Sequence, residues 1–345
     1  MKKAVLDQTT EPPPVIAGLR TMKAIVQDEY GSAPEEVLRT AKIARPTIGD
    51  DEILVRVTAA SVDRGTWHIM AGLPYAIRLA GFGLRRPKAT NPGRCVAGTV
   101  ESVGKVVTEF EPGDEVYGTC EGSFAEYARA KAGKLAPKPA NLSFEQAAAV
   151  PISAQTALQA VRDQAQVQPG QKVLIIGASG GVGTFAVQIA KASGAEVTGV
   201  GSTGKTDLIR ALGADHVIDY TRENFADREH RYDVILDIGG NSRLSHLRRA
   251  LAARGRLVIV GGENGGRWLG VDRQLRAILL SPVVKQKLGT FVASENAQDL
   301  LALNELMESG KLTPVIDRTY PLSESPAAVR YVQEGRAKGK VVITA

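Results

Sequence analysis

Cysteine is nearly missing from this 345-residue chain, with only Cys95 and Cys120 present. Two cysteines cannot build a disulfide framework, so a reducing cytoplasm is the expected setting. Long apolar runs are missing too. Stretches such as Val173-Leu174-Ile175-Ile176 are strand-sized, far below the roughly 20 residues of a membrane span. The basic start Met1-Lys2-Lys3 runs at once into Asp7, Gln8 and Glu11, so no secretory hydrophobic region is expected. Aromatic residues are scarce at 5%, and the net charge is only +6. The basic residues are scattered, apart from Arg85-Arg86-Pro87-Lys88 and Arg248-Arg249 with Arg254 and Arg256. No nucleic-acid motif accompanies them, so neither nucleic acid nor membrane is an expected partner. A mild attraction for an anionic small molecule remains. What is abundant is a globular mixture, 43% apolar and 23% charged, which excludes disorder and collagen-like structure and suffices for about two domains.

Residues 1–21 hold Pro12-Pro13-Pro14 and little periodicity, and read as a flexible leader. Met22-Lys23-Ala24-Ile25-Val26 is the first expected strand. Up to about residue 140 the pattern stays β-like and is punctuated by glycine and proline. From Glu52 to Ala60, for instance, Ile53, Val55 and Val57 alternate with Arg56 and Thr58, as in a half-buried strand. Gly72 to Pro92 forms a long, apolar, mobile loop of the kind used as lids. After Pro169-Gly170 the style changes. Apolar runs at Val173–Ile176, Glu196–Val200, Val217–Ile218, Asp233–Leu236, Leu257–Val260 and Leu288–Val292 alternate with helical stretches such as Arg243–Ala253. Strands buried on both faces and separated by helices predict a doubly wound parallel sheet, making the chain α/β. The segment from Thr313 returns to strand, helix and strand, the last being Lys340-Val341-Val342-Ile343.

The chemistry begins where Val173–Ile176 runs into Gly177-Ala178-Ser179-Gly180-Gly181-Val182-Gly183. The following residues 182, 185, 186, 189 and 190 put apolar side chains on one helical face. Gly180 lets the backbone approach a pyrophosphate, and Gly183 lets helix and strand pack closely. Ser179, Gly181 and Val182 complete a helix N-terminus whose free N–H groups and positive dipole suit phosphate. Ala178 occupies the usual place of the first glycine, tolerable where φ stays negative. Strand, turn, helix and second strand in this order predict dinucleotide binding. The second strand ends in Val200-Gly201-Ser202-Thr203-Gly204-Lys205, with no carboxylate before Asp207. An NAD-specific site places an acid there. Its absence, with Ser202 and Lys205 available for a 2′-phosphate, favours NADPH.

Several landmarks together resemble the medium-chain dehydrogenase/reductase superfamily across residues 22–345. They are Gly98-Thr99-Val100-Glu101-Ser102-Val103-Gly104, Pro112-Gly113-Asp114-Glu115-Val116-Tyr117-Gly118, Phe124-Ala125-Glu126-Tyr127 and Gly213-Ala214-Asp215-His216-Val217-Ile218-Asp219-Tyr220. The resemblance implies a GroES-like β-rich catalytic domain over 22–145 with 295–345, and a Rossmann NADP-binding domain over 146–294. It places the active site in the cleft between them. It also implies that Tyr220 lies near the adenine and Asn241 near the ribose. Gly261 and Gly262 would pass beneath the nicotinamide, and Phe291 and Val292 would meet its carboxamide. Relatives are often homodimers.

Zinc-dependent members carry a Cys, a Gly-His-Glu and a further Cys or acid where this chain has Asp63, Gly93-Arg94-Cys95 and the stretch around Pro151-Ile152-Ser153. A catalytic zinc needs three protein ligands and an open position, and Arg94 brings a fixed positive charge instead. The chain therefore resembles the zinc-free quinone oxidoreductase branch, which includes zeta-crystallin-like proteins. Without a Lewis acid, negative charge must be spread by the acceptor or met by protein donors. Quinones and α,β-unsaturated carbonyls spread it themselves. His68 stands where relatives have a tyrosine lining the nicotinamide pocket, and an imidazole near neutrality can donate a proton. Asp63, Trp67 and Tyr75 are expected to line the acceptor cavity, with a turn cap or plain core as the bland alternatives. Two other functions stay open at this point: an alcohol or aldehyde oxidoreductase, and a nucleotide-responsive binding protein with little turnover.

Overall fold

A computed structural model describes residues 20–227, 231–240, 242–262 and 271–345. Asn241 and all but the last two residues of the expected leader lie outside the described residues.

The second half builds a six-stranded, wholly parallel sheet. In spatial order its strands are His216–Asp219, Glu196–Gly201, Lys172–Ile176, Tyr232–Asp237, Leu251–Ile259 and Lys287–Thr290. Lys172–Ile176 comes first in the chain yet lies third in space, so the order reverses beside it, and ligands bind at the carboxyl ends of such a switch. Val173, Leu174 and Ile175 are fully buried, as a strand covered on both faces must be. Two expected boundaries move. The helix after Arg243 is Leu244–Ala250, and the next strand already begins at Leu251. The last strand, Lys287–Thr290, stops before Phe291 and Val292.

The β-rich part forms a second sheet. Its strands run Ile316–Pro321, Lys340–Thr344, Glu52–Val62, Cys95–Val103, Glu115–Thr119 and Leu135–Pro137, with Tyr127–Lys131 paired to the near end of Glu52–Val62. The late strand Lys340–Thr344 pairs antiparallel with Glu52–Val62, Val341 opposite Val62. The tail therefore completes the sheet begun by the front of the chain. Thr21–Val26 and Arg39–Ala44 make a separate two-stranded ribbon.

A single apolar cluster joins the two sheets. Ala59, Ala97, Tyr117 and Val342 from one side pack in it with Phe185, Val187, Leu300 and Leu303 from the other. Helix Pro151–Gln159 packs against both Gly181–Ala192 and Ala297–Glu308. Tyr117 is fully buried, and its hydroxyl donates to Asn304 Oδ1 at 2.6 Å, which satisfies the only polar atom of its ring.

Candidate functional site

Backbone geometry shapes the turn after Lys172–Ile176. Gly177 takes the left-handed φ of +85°, and a Cβ there would lie 2.8 Å from Gly239 N. The positive φ thus falls one residue before Ala178, whose buried methyl is tolerated because its own φ is not positive. Gly180 caps helix Gly181–Ala192 with an extended backbone. The nearest atom to a Cβ on Gly180 would be Gly177 O at 3.5 Å, whereas a Cβ on Gly183 would sit only 2.0 Å from that same oxygen. Gly183 is therefore required by helix–strand packing, and Gly180 keeps the approach to the helix N-terminus clear. Ser179 is buried, while Gly181 and Val182 are half-buried on the first turn. The cradle fits a dinucleotide pyrophosphate.

Gly201, Ser179 and Lys205 meet at the end of the second strand. A Cβ on Gly201 would lie 3.7 Å from Lys205 Cβ and 3.8 Å from Ser179 Oγ. Ser202 is half-buried beside them. The Lys205 ammonium donates to the carbonyls of Gly335 at 3.1 Å and Ala337 at 2.9 Å, and burial lowers its pKa. Tyr220 is largely exposed, its N–H donating to Gly201 O at 3.1 Å. A carboxylate that sequence reasoning missed stands close by. Asp219 accepts hydrogen bonds from the hydroxyls of Thr203 and Thr221, which hold its pKa down. It ends the next strand of the parallel sheet, His216–Asp219, so reading outward from Glu196–Gly201 alone passes it over.

At the other end of the cleft, Gly261 runs so close to Ile238 that a Cβ would lie 2.1 Å from that carbonyl. Gly262 is exposed, Phe291 half-buried and Val292 almost fully exposed. Under these loops lies another unforeseen pair. Arg273 Nη1 donates to the buried carboxylate of Asp237 at 2.5 Å and to Ser242 O at 2.8 Å, while its Nη2 donates to Gly261 O at 3.1 Å. Burial raises the Asp237 pKa in spite of the guanidinium. An arginine on a helix some 36 residues downstream carries no sequence signal for this partner.

The expected acceptor side is built differently. Asp63 caps helix Arg64–Ala71 in a reciprocal box with Thr66. Its carboxylate is ion-paired to Lys340, accepts from Ser153 Oγ at 2.8 Å, and accepts from Cys95 Sγ at 3.1 Å. Burial alone would raise the Asp63 pKa, but the Lys340 charge and these hydrogen bonds outweigh it and leave it lowered. Burial and the adjacent carboxylate push the Cys95 thiol far up, so it stays protonated. Arg94 instead pairs with Glu295 at 2.6 Å. Among the described residues, no three His, Cys, Asp or Glu side chains are grouped to hold a metal ion.

One turn on, His68 Nδ1 stands 2.9 Å from Leu73 O. A carbonyl only accepts, so Nδ1 carries the proton and Nε2 is the acceptor of the neutral ring. Trp67 packs edge-on to His68 and against the apolar cluster of Ile25, Met70 and Val329, which is the core alternative for that residue. Tyr75 is half-buried, with the Arg78 guanidinium 4.9 Å from its ring centre. The Gly72–Pro92 loop is tied down more than its composition suggests. Tyr30 OH donates to Phe82 O at 2.8 Å, and Gln27 N donates to Thr90 O at 2.7 Å. Beside it opens a cavity of about 990 Å³ lined by Thr66, Ile69, Phe82, Lys88, Arg94 and Cys120, among others.

Known families match both parts. "Alcohol dehydrogenase GroES-like domain" matches residues 49–140, and "Zinc-binding dehydrogenase" matches residues 212–343. The 2-methylene-furan-3-one reductase of Solanum lycopersicum is 35% identical, the match covering 93% of this chain and 79% of that protein. The NADPH-dependent alkenal/one oxidoreductase, chloroplastic, of Arabidopsis thaliana is 32% identical over 94% of this chain and 80% of its own. Among solved structures, the quinone oxidoreductase from Coxiella burnetii superposes with a TM-score of 0.83 at 28% identity, covering 94% of this chain and all of that one.

Proposed function

Because the chain belongs to the medium-chain dehydrogenase/reductase superfamily, in its quinone oxidoreductase-like branch, we propose that it reduces a quinone or an α,β-unsaturated carbonyl with NADPH and without zinc. It is an oxidoreductase that uses a nicotinamide cofactor. When bound, that cofactor supplies a hydride. This chain's residues orient it: the Gly180–Gly183 turn takes the pyrophosphate, and Gly261 passes beneath the far ring. Ser202 and Lys205 take the 2′-phosphate, the Lys205 ammonium exchanging the Gly335 and Ala337 carbonyls for it. His68, half-buried on the acceptor side, is the proton donor through Nε2 once its ring is protonated. Residues 22–145 with 295–345 form the catalytic unit and 146–294 the cofactor unit.

One observation carries the zinc-free part. Where zinc-dependent relatives place their first ligand, the Asp63 carboxylate is engaged by Lys340, Ser153 and Cys95 at once. A buried ammonium held on a candidate ligand and a guanidinium where zinc-dependent relatives carry histidine do not fit the donor chemistry of catalytic zinc. Charge on the acceptor oxygen must then be delocalised by the acceptor itself. Steady-state assays test this: quinones and enones should turn over, simple ketones should not, and a chelator should leave the rates unchanged. Turnover of ketones alone, abolished by the chelator, would overturn it.

No helix among the described residues is long and apolar enough to cross a membrane. Leu279 and Val283 are strongly exposed beside Lys287–Thr290, the edge strand of the parallel sheet among the described residues, and such an edge can pair with a second copy. We place the protein in the cytoplasm as a homodimer; a solution molar mass equal to one chain would exclude the dimer.

A further inference from the structure

Lys340 is the most deeply buried cation described in the molecule, with 1% of its surface exposed. Its ammonium is ion-paired to Asp63 and donates to Ser153 Oγ at 3.0 Å. Ser153 Oγ in turn donates to the same carboxylate oxygen at 2.8 Å. The pair spans 277 residues of sequence. A neutral, fully desolvated ion pair has little charge or proton to lend to an acceptor, so its use must be geometric.

The geometry joins two functional segments. On one side the lysine stem lies against the cofactor turn: a Cβ on Gly181 would come within 3.2 Å of Lys340 Cδ and 3.4 Å of Ser153 Oγ. The preceding residue is pinned to that turn as well, Gly339 N donating to Ser179 O at 3.0 Å. On the other side Asp63 is the N-cap of helix Arg64–Ala71, which carries Thr66 and His68. One side chain therefore bridges the phosphate-holding turn and the helix that presents the acceptor-side residues. A shift of Gly181 toward the lysine stem would press on it, and the ammonium would carry the Asp63 cap along, because a buried charge stays with its counter-charge.

We propose that Lys340 is a positioning residue that couples cofactor occupancy of the Ser179–Gly183 turn to the ordering of helix Arg64–Ala71. The proposal rests on the reading that the turn holds NADPH. Hydrogen exchange of the full chain, with and without NADPH, tests it. In the wild type, NADPH slows exchange both at 177–187 and at 64–71, the latter by about five-fold, the low end of measured allosteric couplings. The double variant D63N/K340M removes both charges and leaves no uncompensated one. It should keep the slowing at 177–187 and lose the response at 64–71, while KM for a quinone rises more than the dissociation constant for NADPH. Should that variant fail to fold, S153A keeps both charges and removes the hydroxyl between them; it should weaken the response at 64–71 and leave 177–187 unchanged. A wild-type helix 64–71 indifferent to NADPH, or either variant with the full response, overturns the coupling. If 177–187 is also indifferent in the wild type, the cofactor reading itself fails first.

Discussion

The two sides of the cleft are written in different materials. The cofactor side is mostly backbone: Gly177, Gly183 and Gly261 each lie where a single Cβ would meet main-chain atoms at under 3 Å. The other side is mostly side chain: an ion pair, a hydroxyl and a thiol brought together from four separate segments, with His68 one turn further along the helix that Asp63 caps. A ligand that never changes can be met by fixed peptide groups, and the residues that allow close approach are then dictated by sterics. The other half is left to side chains, which can be exchanged without moving the main chain that carries them. The contrast teaches that glycine positions report on the shared half of the reaction, and charged or aromatic positions on the particular half.

This contrast can be broken from either side. The largest effect is expected at His68: H68F should lower kcat with enones by about 100-fold, within the range for loss of a general acid. NADPH affinity should not move, as read by fluorescence titration; unchanged turnover would return His68 to a packing role. On the opposite side, G183V forces bulk against Gly177 O and should weaken NADPH binding while destabilising the fold by about 1–3 kcal/mol, the usual cost of overpacking. Denaturant melts and the same titration measure both, and a variant of native affinity would mean that the turn is not backbone-limited. The smallest effect belongs to K205A. It should weaken NADPH binding by about ten-fold, equivalent to 1.4 kcal/mol, and leave NADH almost untouched. Equal behaviour toward the two cofactors would remove Lys205 and Ser202 from the phosphate site.

Much of the cofactor half was legible because its constraints are local. Strand, turn and helix around Gly177–Gly183 follow within a dozen residues, and their steric reason can be read from glycine spacing. The parallel sheet was legible for the same cause, each buried strand being a short continuous apolar run. Lys340–Asp63 and Arg273–Asp237 were not, since nothing local tells a lysine at the head of a strand that an aspartate 277 residues earlier will face it. Asp219 was missed because it stands at the end of the neighbouring strand, His216–Asp219, outside the stretch that follows the second strand. Trp67 shows the limit of pattern alone: a large aromatic one turn from a pocket can as easily point into the core. The Gly72–Pro92 loop read as mobile because its anchors, Tyr30 and Gln27, lie outside it.

The antiparallel pairing of Lys340–Thr344 with Glu52–Val62 bears on how the chain acquires its shape during synthesis. The earlier strand leaves the ribosome long before the one that must lie beside it, with the whole parallel sheet emerging in between. Until then the Ala59–Val62 end of that strand has unmatched peptide groups on one flank, a template for wrong pairing. That pairing can close only after the last strand has been made, whatever the order in which the rest assembles. Slow translation or a chaperone holding the first 140 residues should raise the yield more than any change within the parallel sheet.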